Sequence, residues 1–581
     1  MKKRWNRCIA VLLVLIMLLS MTACGGKNSG TTEDGPRDLS WLNTDGTLPI
    51  VEEGTEKTLK IAIQMYSDSG DPETQWFYKF IEKEMNINLE ITKLSSGAEQ
   101  LTLMFADGDL PDIIIGAGLD SASLMRYGAD EEMLADLAPY ITEELTPNLY
   151  KLYSENPEYK DAVADKDGHI WSLGYINDTT DRGQISRAFI NYDWLEDAGL
   201  STPATLDEFV NMLKTFKSRG DNITPMGGSW EAENPLLILL NAFGYITENP
   251  KGMDIALRNG EVVLPIADRE AYGEYIKLLR ELYKEGLIHE NFFTMNLSSV
   301  KTMIAQGECG YVATAPFTYT ADYTSWWGAQ PLTSNLNNTA QWPQGTDSAL
   351  TSGGFVVSAD SENKELAMAF ADWFFEESGT NYNMSTNGPA ATQTEYIYDD
   401  VVTGFEIDEE TYLATFPGYV RKQNNYSSKN DYAGKEIYLW GYRLLGLGKG
   451  SESSNIAAIQ YGYTPDEIVG GFTDVTVAGI QGEVRKETAK DGDMAFRLAL
   501  EDTMVPYVTK DTLPTAYLDA ETVSKLSNLW TLVKEYASQE TANFVVGRRE
   551  LTDAELDKYF NEIEALGATE IVNAYKEYYG K

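Results

Sequence analysis

Between residues 58 and 115 the apolar positions switch repeatedly between two periods. "TLKIAIQM" alternates Leu59, Ile61, Ile63 and Met65 against Lys60 and Gln64, the two-residue period of a strand. "YSDSGDP" follows and is rich in turn residues. From Pro72 a proline-started helix brings Trp76, Phe77, Phe80, Ile81 and Met85 onto one broad face. "INLEIT" alternates again, Glu99–Ala106 returns to the helical period and ends at "DGDLPD", and "IIIG" is a short continuous apolar run. Such a run suits a parallel strand covered on both faces. Strand, helix, strand, helix, strand predicts an α/β sheet. Ligands of such sheets gather beyond the carboxyl ends of the strands. "YSDSGDP" and "GAGLD" fall there.

The middle of the chain reads as mostly helical. "TLDEFVNMLKTFKSR" opens with Thr205 and has Glu208 three residues on, the pattern of a capping box. "DREAYGEYIKLLRELYKEGL" is a long helix with Gly286 past its end. "KELAMAFADWFFEES" sets Leu366, Phe370, Trp373 and Phe374 at helical spacing, a stripe expected in the core.

The first residues follow neither pattern. Lys2, Lys3, Arg4 and Arg7 precede an apolar run from Ile9 to Leu19. Eleven helical residues reach about 16 Å against the roughly 30 Å of a bilayer core, so the run has the size of a signal-peptide segment. Met21-Thr22-Ala23-Cys24 resembles a bacterial lipobox, with Met where Leu is commoner. That resemblance implies cleavage after residue 23 and a lipid on Cys24; an uncleaved anchor or an ordinary secretory signal is the alternative. Residues 24–57 lack an apolar period and read as a flexible tether.

Composition narrows the rest. The 558 residues from Cys24 onward exceed one simple core and suit two or more domains. The signal stretch holds four of the 46 bases and none of the 89 acids, so the chain from Cys24 carries a formal −47. This argues against nucleic acid or anionic lipid as a partner and fits a solvated surface. Beyond Cys8 and Cys24 there is only Cys309, expected as a small buried apolar residue, so no internal disulfide is expected. There are two histidines, His169 and His289, and no Gly-x-Ser-x-Gly, His-Glu-x-x-His or phosphate loop, so catalysis has a poor case and no cofactor is implied.

Several stretches resemble bacterial extracellular solute-binding proteins of the sugar-binding (family 1) group. They are "LMFADGDLPDIII" (103–115), "DGHIWSLGY" (167–175), "NYDWLEDAGLSTPATLDEF" (191–209), "LYKEGLIHENFF", "MIAQGECGYVATAPF" and "GGFVVSADSENKELAMAFADWFF". The tail "NFVVGRRELTDAELDKYFNEIEALGATEIVNAYKEYY" is similar to the end of one lipoprotein branch. The resemblance implies a two-lobe α/β fold of the periplasmic-binding-protein type II class, with a ligand cleft between lobes and a hinge of crossing segments. Lobe 1 is expected over 58–180 and 315–375, lobe 2 over 181–314 and 376–540, and a C-terminal helical segment over 541–581. It further implies capture of a carbohydrate, an oligosaccharide, and delivery to the transmembrane subunits of an ABC permease, by a protein lipid-anchored on the extracellular face of the cell membrane. A peptide or other polar solute in the same fold remains open, as does a surface glycoside hydrolase. Many members of that branch carry a calcium loop after the Asp-Glu-Phe helix. Here "SRGDNITPMGGSW" has Asp221 and Asn222 but lacks the alternating ligands and the bidentate Glu, so no metal is expected there.

A sugar cleft needs aromatic faces for pyranose rings and planar polar groups for hydroxyls. Asp68 and Trp76 lie just beyond the first strand, although a helix cap and a core position are their plainer readings. Trp230 ends the Gly-rich "MGGSW" turn. Phe317 and Tyr319 fall where the family's Pro-Trp segment lines the cleft, and Trp326-Trp327 form an adjacent pair that cannot easily face one core. Trp440 and Tyr442 are weaker candidates.

Overall fold

The computed structural model describes residues 39–64, 76–94, 97–178, 188–314, 316, 319, 325–343, 350–376, 431–432, 435–436, 446–449, 499, 503–509 and 511–580. The lipobox, with Cys24, and the segments carrying Asp68, Phe317, Trp440 and Tyr442 lie outside the described residues. In chain order the strands of the two main sheets are β1 (Thr58–Gln64), β2 (Asn88–Leu94), β3 (Ile113–Ile115), β4 (Leu173–Asp178), β5 (Phe189–Asn191), β6 (Met226–Gly227), β7 (Tyr311–Val312), β8 (Trp326–Gly328), β9 (Leu350–Val357) and β10 (Gly446–Lys449). The helices used below are α1 (Trp76–Met85), α2 (Gly97–Asp107), α3 (Pro147–Glu155), α4 (Leu206–Lys217), α5 (Ala271–Lys284), α6 (Leu297–Ala305), α7 (Lys364–Trp373), α8 (Ala520–Val546), α9 (Asp553–Ala565) and α10 (Ala568–Tyr579).

The first sheet has the order β10-β4-β9-β3-β1-β2. β1 is parallel to β2 and β3, as the strand-helix alternation requires, while β9 is antiparallel to both β3 and β4. Ile113, Ile114 and Ile115 are fully covered, which is why the sequence shows no alternation there. Among the described side chains of α1 the buried ones are Tyr78, Ile81 and Met85, one face at helical spacing. The stripe of α7 is buried throughout. Asp372 joins that helix to α3: its carboxylate accepts from the Leu149 N–H at 2.8 Å and from the Asn148 side chain at 2.9 Å. Burial pushes this acid up to about 7, against the pull of those donors.

The second sheet is β8-β5-β7-β6. Its core runs without a break from Phe189, Met212 and Phe216 through Tyr272 and Leu279 of α5 to Val533, Phe544, Tyr559 and Phe560 of the C-terminal helices. The capping box at α4 forms as read: Glu208 N–H donates to Thr205 Oγ1 at 3.2 Å, and Thr205 N–H to Glu208 Oε2 at 3.1 Å. Cys309 is fully buried, and burial raises its thiol to about 12.

Two spans differ from the expected lobe boundaries. Trp326–Gly328, inside the span 315–375 expected in lobe 1, pairs with Phe189–Asn191 in the second sheet. Gly446–Lys449, inside the span 376–540 expected in lobe 2, lies parallel to β4 in the first sheet. Both come from reading boundaries off motif order, because backbone pairing between distant segments leaves no local trace. Helical structure at the C-terminus also begins earlier than 541, at Ala520. Among the described residues no helix is long and apolar enough to cross a membrane.

Candidate functional site

The two sheets present matching ends to the chain that joins them. β4 runs past the level of Ile115 and ends at Asp178; β5 begins at Phe189, which is opposite Val312 and Gly328 at the carboxyl ends of β7 and β8. The return crossing leaves β8 at Gly328 and begins β9 at Leu350. The crossings therefore connect the carboxyl ends of β3, β6 and β7, where ligands of parallel sheets gather.

On the first sheet that rim is Gly116–Asp120 against Gly353 and Gly354. Gly116 N–H donates to the Gly354 carbonyl at 2.6 Å and Gly118 N–H to the Gly353 carbonyl at 2.9 Å. Gly353 has φ +67°, and a Cβ there would stand 2.1 Å from the Leu119 carbonyl oxygen. Its own N–H donates to Ser172 Oγ at 3.1 Å. Asp120 is occupied as an N-cap, accepting from Ser123 N–H at 2.8 Å.

On the second sheet the rim is the loop after β6. Gly228 has φ +128°, and a Cβ there would lie 2.2 Å from the Glu233 carbonyl oxygen, so only glycine lets the loop fold back on itself. Ser229 Oγ ties the loop to the Ala232 and Met295 carbonyls. Glu233 sits at φ +48°, a left-handed conformation that costs a non-glycine residue on the order of 1 kcal/mol. The Tyr319 hydroxyl donates to Glu233 Oε1 at 2.8 Å, and the Lys301 ammonium lies 5.2 Å from the centre of the Tyr319 ring. Partial burial and the Glu233 carboxylate hold the Tyr319 phenol above its ordinary value. Glu233 and Tyr319 are both half-buried. Together they offer a fixed carboxylate acceptor beside an aromatic ring, a pairing suited to hydroxyl-rich solutes.

Tyr319 is the one sequence candidate that the described residues bring to this rim. Three of the candidate tryptophans, Trp230, Trp326 and Trp327, lie instead in the core. Trp230 is only 2% exposed: its indole N–H donates to Ser538 Oγ at 3.2 Å, Phe293 packs at 5.4 Å and Lys251 lies over the ring at 5.6 Å. The loop is open at its glycines, but the indole points back into the core against α8. Trp326 and Trp327 are also buried, at 5% and 3%. As neighbours on a strand they point to opposite faces, and both faces of this sheet are covered. Ala499 and Thr503 close on β8 so tightly that a Cβ on Gly328 would stand 2.0 Å from Thr503 Oγ1. Trp76 begins α1, with its side chain outside the described residues. Glu233 was missed: a lone acid among 89 carries no signal, and only its place five residues after Gly228 marks it.

His169 and the segment after α4 have described surroundings. His169 Nδ1 pairs with Asp136 Oδ2 at 2.8 Å, and that hydrogen bond raises the imidazole above its ordinary value. In the segment that departs from the calcium-loop pattern, the Lys217 ammonium donates to the Ile223 carbonyl at 2.6 Å and the Asp221 carbonyl at 3.4 Å. A cavity of about 820 Å³ lies elsewhere, between Met125 and Lys166 on one side and the C-terminal helices on the other.

Residues 68–381 match the model of the family described as bacterial extracellular solute-binding protein. The fructooligosaccharide ABC transporter substrate-binding protein FusA of Streptococcus pneumoniae is 24% identical over 591 residues, covering 98% of this chain and 97% of that protein. Lipoprotein LipO of Bacillus subtilis is 23% identical over 271 residues, covering 45% of this chain and 50% of that protein. Among solved structures, an HMO-binding ABC-transporter-associated solute-binding protein of Bifidobacterium longum infantis shares the fold with a TM-score of 0.62 at 17% identity, over 90% of this chain and 98% of that one.

Proposed function

The chain belongs to the bacterial extracellular solute-binding proteins, and from that premise we propose that it captures an oligosaccharide and delivers it to the membrane permease of an ABC importer. The observation that carries the carbohydrate reading is the near end-to-end match to a relative named for fructooligosaccharides, with a rim where Glu233 and Tyr319 meet at 2.8 Å. A carboxylate takes the hydroxyls of a sugar as donors, and an aromatic face takes its C–H side. We extend the same role to Asp68, Trp76 and Phe317, whose side chains lie outside the described residues.

The mechanism is a population shift. A solute that touches both rims binds better when they approach, so it draws the lobes together by the difference in its contacts. The crossing segments absorb the rotation, and the closed form is what the permease meets. Lipid on Cys24 keeps the protein at the extracellular face of the membrane; a relative named as a lipoprotein supports this. Durable anchoring takes more than one acyl chain.

Calorimetric titration against a library of glycans and peptides tests the ligand class. A glycan that binds at micromolar or better and shrinks the radius of gyration in small-angle scattering supports the reading. Saturable binding of peptides alone would sink it. For the anchor, Cys24→Ser should abolish incorporation of a palmitate analogue and move the protein out of the membrane fraction; continued labelling ends that part of the proposal.

A further inference from the structure

Resting on the carbohydrate reading, we infer that Glu233 sorts solutes by charge: its carboxylate accepts hydroxyls of a neutral oligosaccharide and turns away glycans built from uronic acids. The argument begins with placement. The backbone at Glu233 is held at φ +48° by the fold of its loop, and the Gly228 contact fixes that loop from the other side. Tyr319 then fixes the carboxylate by taking Oε1. Oε2 has no partner among the described residues, and the side chain is half-buried, so one oriented acceptor remains for a ligand.

Charge decides what that acceptor meets. A carboxylate only accepts, and its hydrogen bonds to neutral hydroxyls are charge-assisted. A uronate brought to the same place sets two like charges together in a half-dry corner, and like-charge juxtaposition is strongly unfavourable. The neighbouring charges do not reverse this. Glu231 is paired with Lys251 at 2.7 Å, and Asp120 is used as a helix cap. Lys301 reaches this corner from α6, but its ammonium lies over the Tyr319 ring and makes no ion pair with Glu233. No arginine lies on either described rim, 116–120 with 353–354 or 228–234 with Thr314 and Tyr319. Arginine is the residue suited to bidentate capture of a carboxylate. The formal −47 of the chain from Cys24 adds a field of the same sign.

The intact protein is titrated calorimetrically with neutral fructo-, xylo-, manno- and malto-oligosaccharides and with oligogalacturonides, at low and physiological salt. Binding confined to the neutral class is expected. Glu233→Gln should then weaken the neutral ligand about tenfold or more, the scale of a hydrogen bond to a charged group. Glu233→Gly separates binding from structure: glycine relieves the left-handed backbone, so melting should hold steady or rise while affinity still falls. Oligogalacturonides that bind as well as any neutral glycan would overturn the inference and leave the carbohydrate reading standing. Wild-type affinity in both variants would overturn it as well. Binding of neither class removes the carbohydrate reading and this inference with it.

Discussion

The two rims meet the same task by different means. On the first sheet the rim is backbone: Gly116, Gly118, Gly353 and Gly354 hydrogen-bond to each other, and its one acid is occupied as a helix cap. On the second sheet the rim is side chain: a glycine lets the loop turn, and the turn presents Glu233 to Tyr319. The first rim thus supplies shape and the second supplies chemistry. Substitutions on the first should therefore act on stability before affinity, and those on the second on affinity before stability.

The largest effects should come from residues behind the rims. Trp230→Ala and Trp327→Ala each remove a buried indole and should cost roughly 3–5 kcal/mol of unfolding free energy in denaturant titration. A variant that keeps its stability but loses ligand would return that tryptophan to the cleft. Next comes Gly353→Ala, which forces a methyl onto the Leu119 carbonyl at the irregularity of β9 between Thr351 and Phe355, where the Gly353 carbonyl also accepts from Gly118; about 3 kcal/mol is expected by the same titration. Gly228→Ala should cost less, about 2 kcal/mol, because a loop can shift, yet it should weaken the ligand more than Gly353→Ala does. The reverse order in calorimetry would break the comparison. Tyr319→Phe removes one hydroxyl and frees Glu233; about 1 kcal/mol of affinity should go, with melting unchanged.

The smallest effect lies away from both rims. Pairing with Asp136 raises His169 above its unfolded value of about 6.5. The stabilisation is fully present below that value and is lost as the pH rises through the higher folded value. The pair is partly exposed, so less than about 1 kcal/mol is expected. His169→Gln should flatten the stability profile across that window, as read by chemical unfolding at a series of pH values.

What could be read from the sequence follows from where the physics is local. The capping box at Thr205, the covered Ile113–Ile115 run and the α7 stripe all depend on neighbours within a turn or a strand, and all were legible. The tryptophans were not. Adjacent tryptophans cannot face one core, but Trp326 and Trp327 lie on a strand with both faces covered, and Trp230, at the end of a Gly-rich turn, finds its partner Ser538 308 residues on. Glu233 became visible only through a backbone angle and a tyrosine from another segment, neither of which leaves a mark in composition.

The return of β9 and β10 to the first sheet has a consequence for how the molecule is made. β9 separates β3 from β4, so that sheet stays split until residue 357 is available, and its outer strand waits until residue 449. The whole second sheet is encoded between β4 and β9. An N-terminal lobe that cannot close on its own stays threadable while the chain is still being synthesised and exported. Pairing across such separations is slow, because loop closure must precede its reward. The sheet whose strands come first in the sequence is therefore completed after the sheet whose strands lie within it.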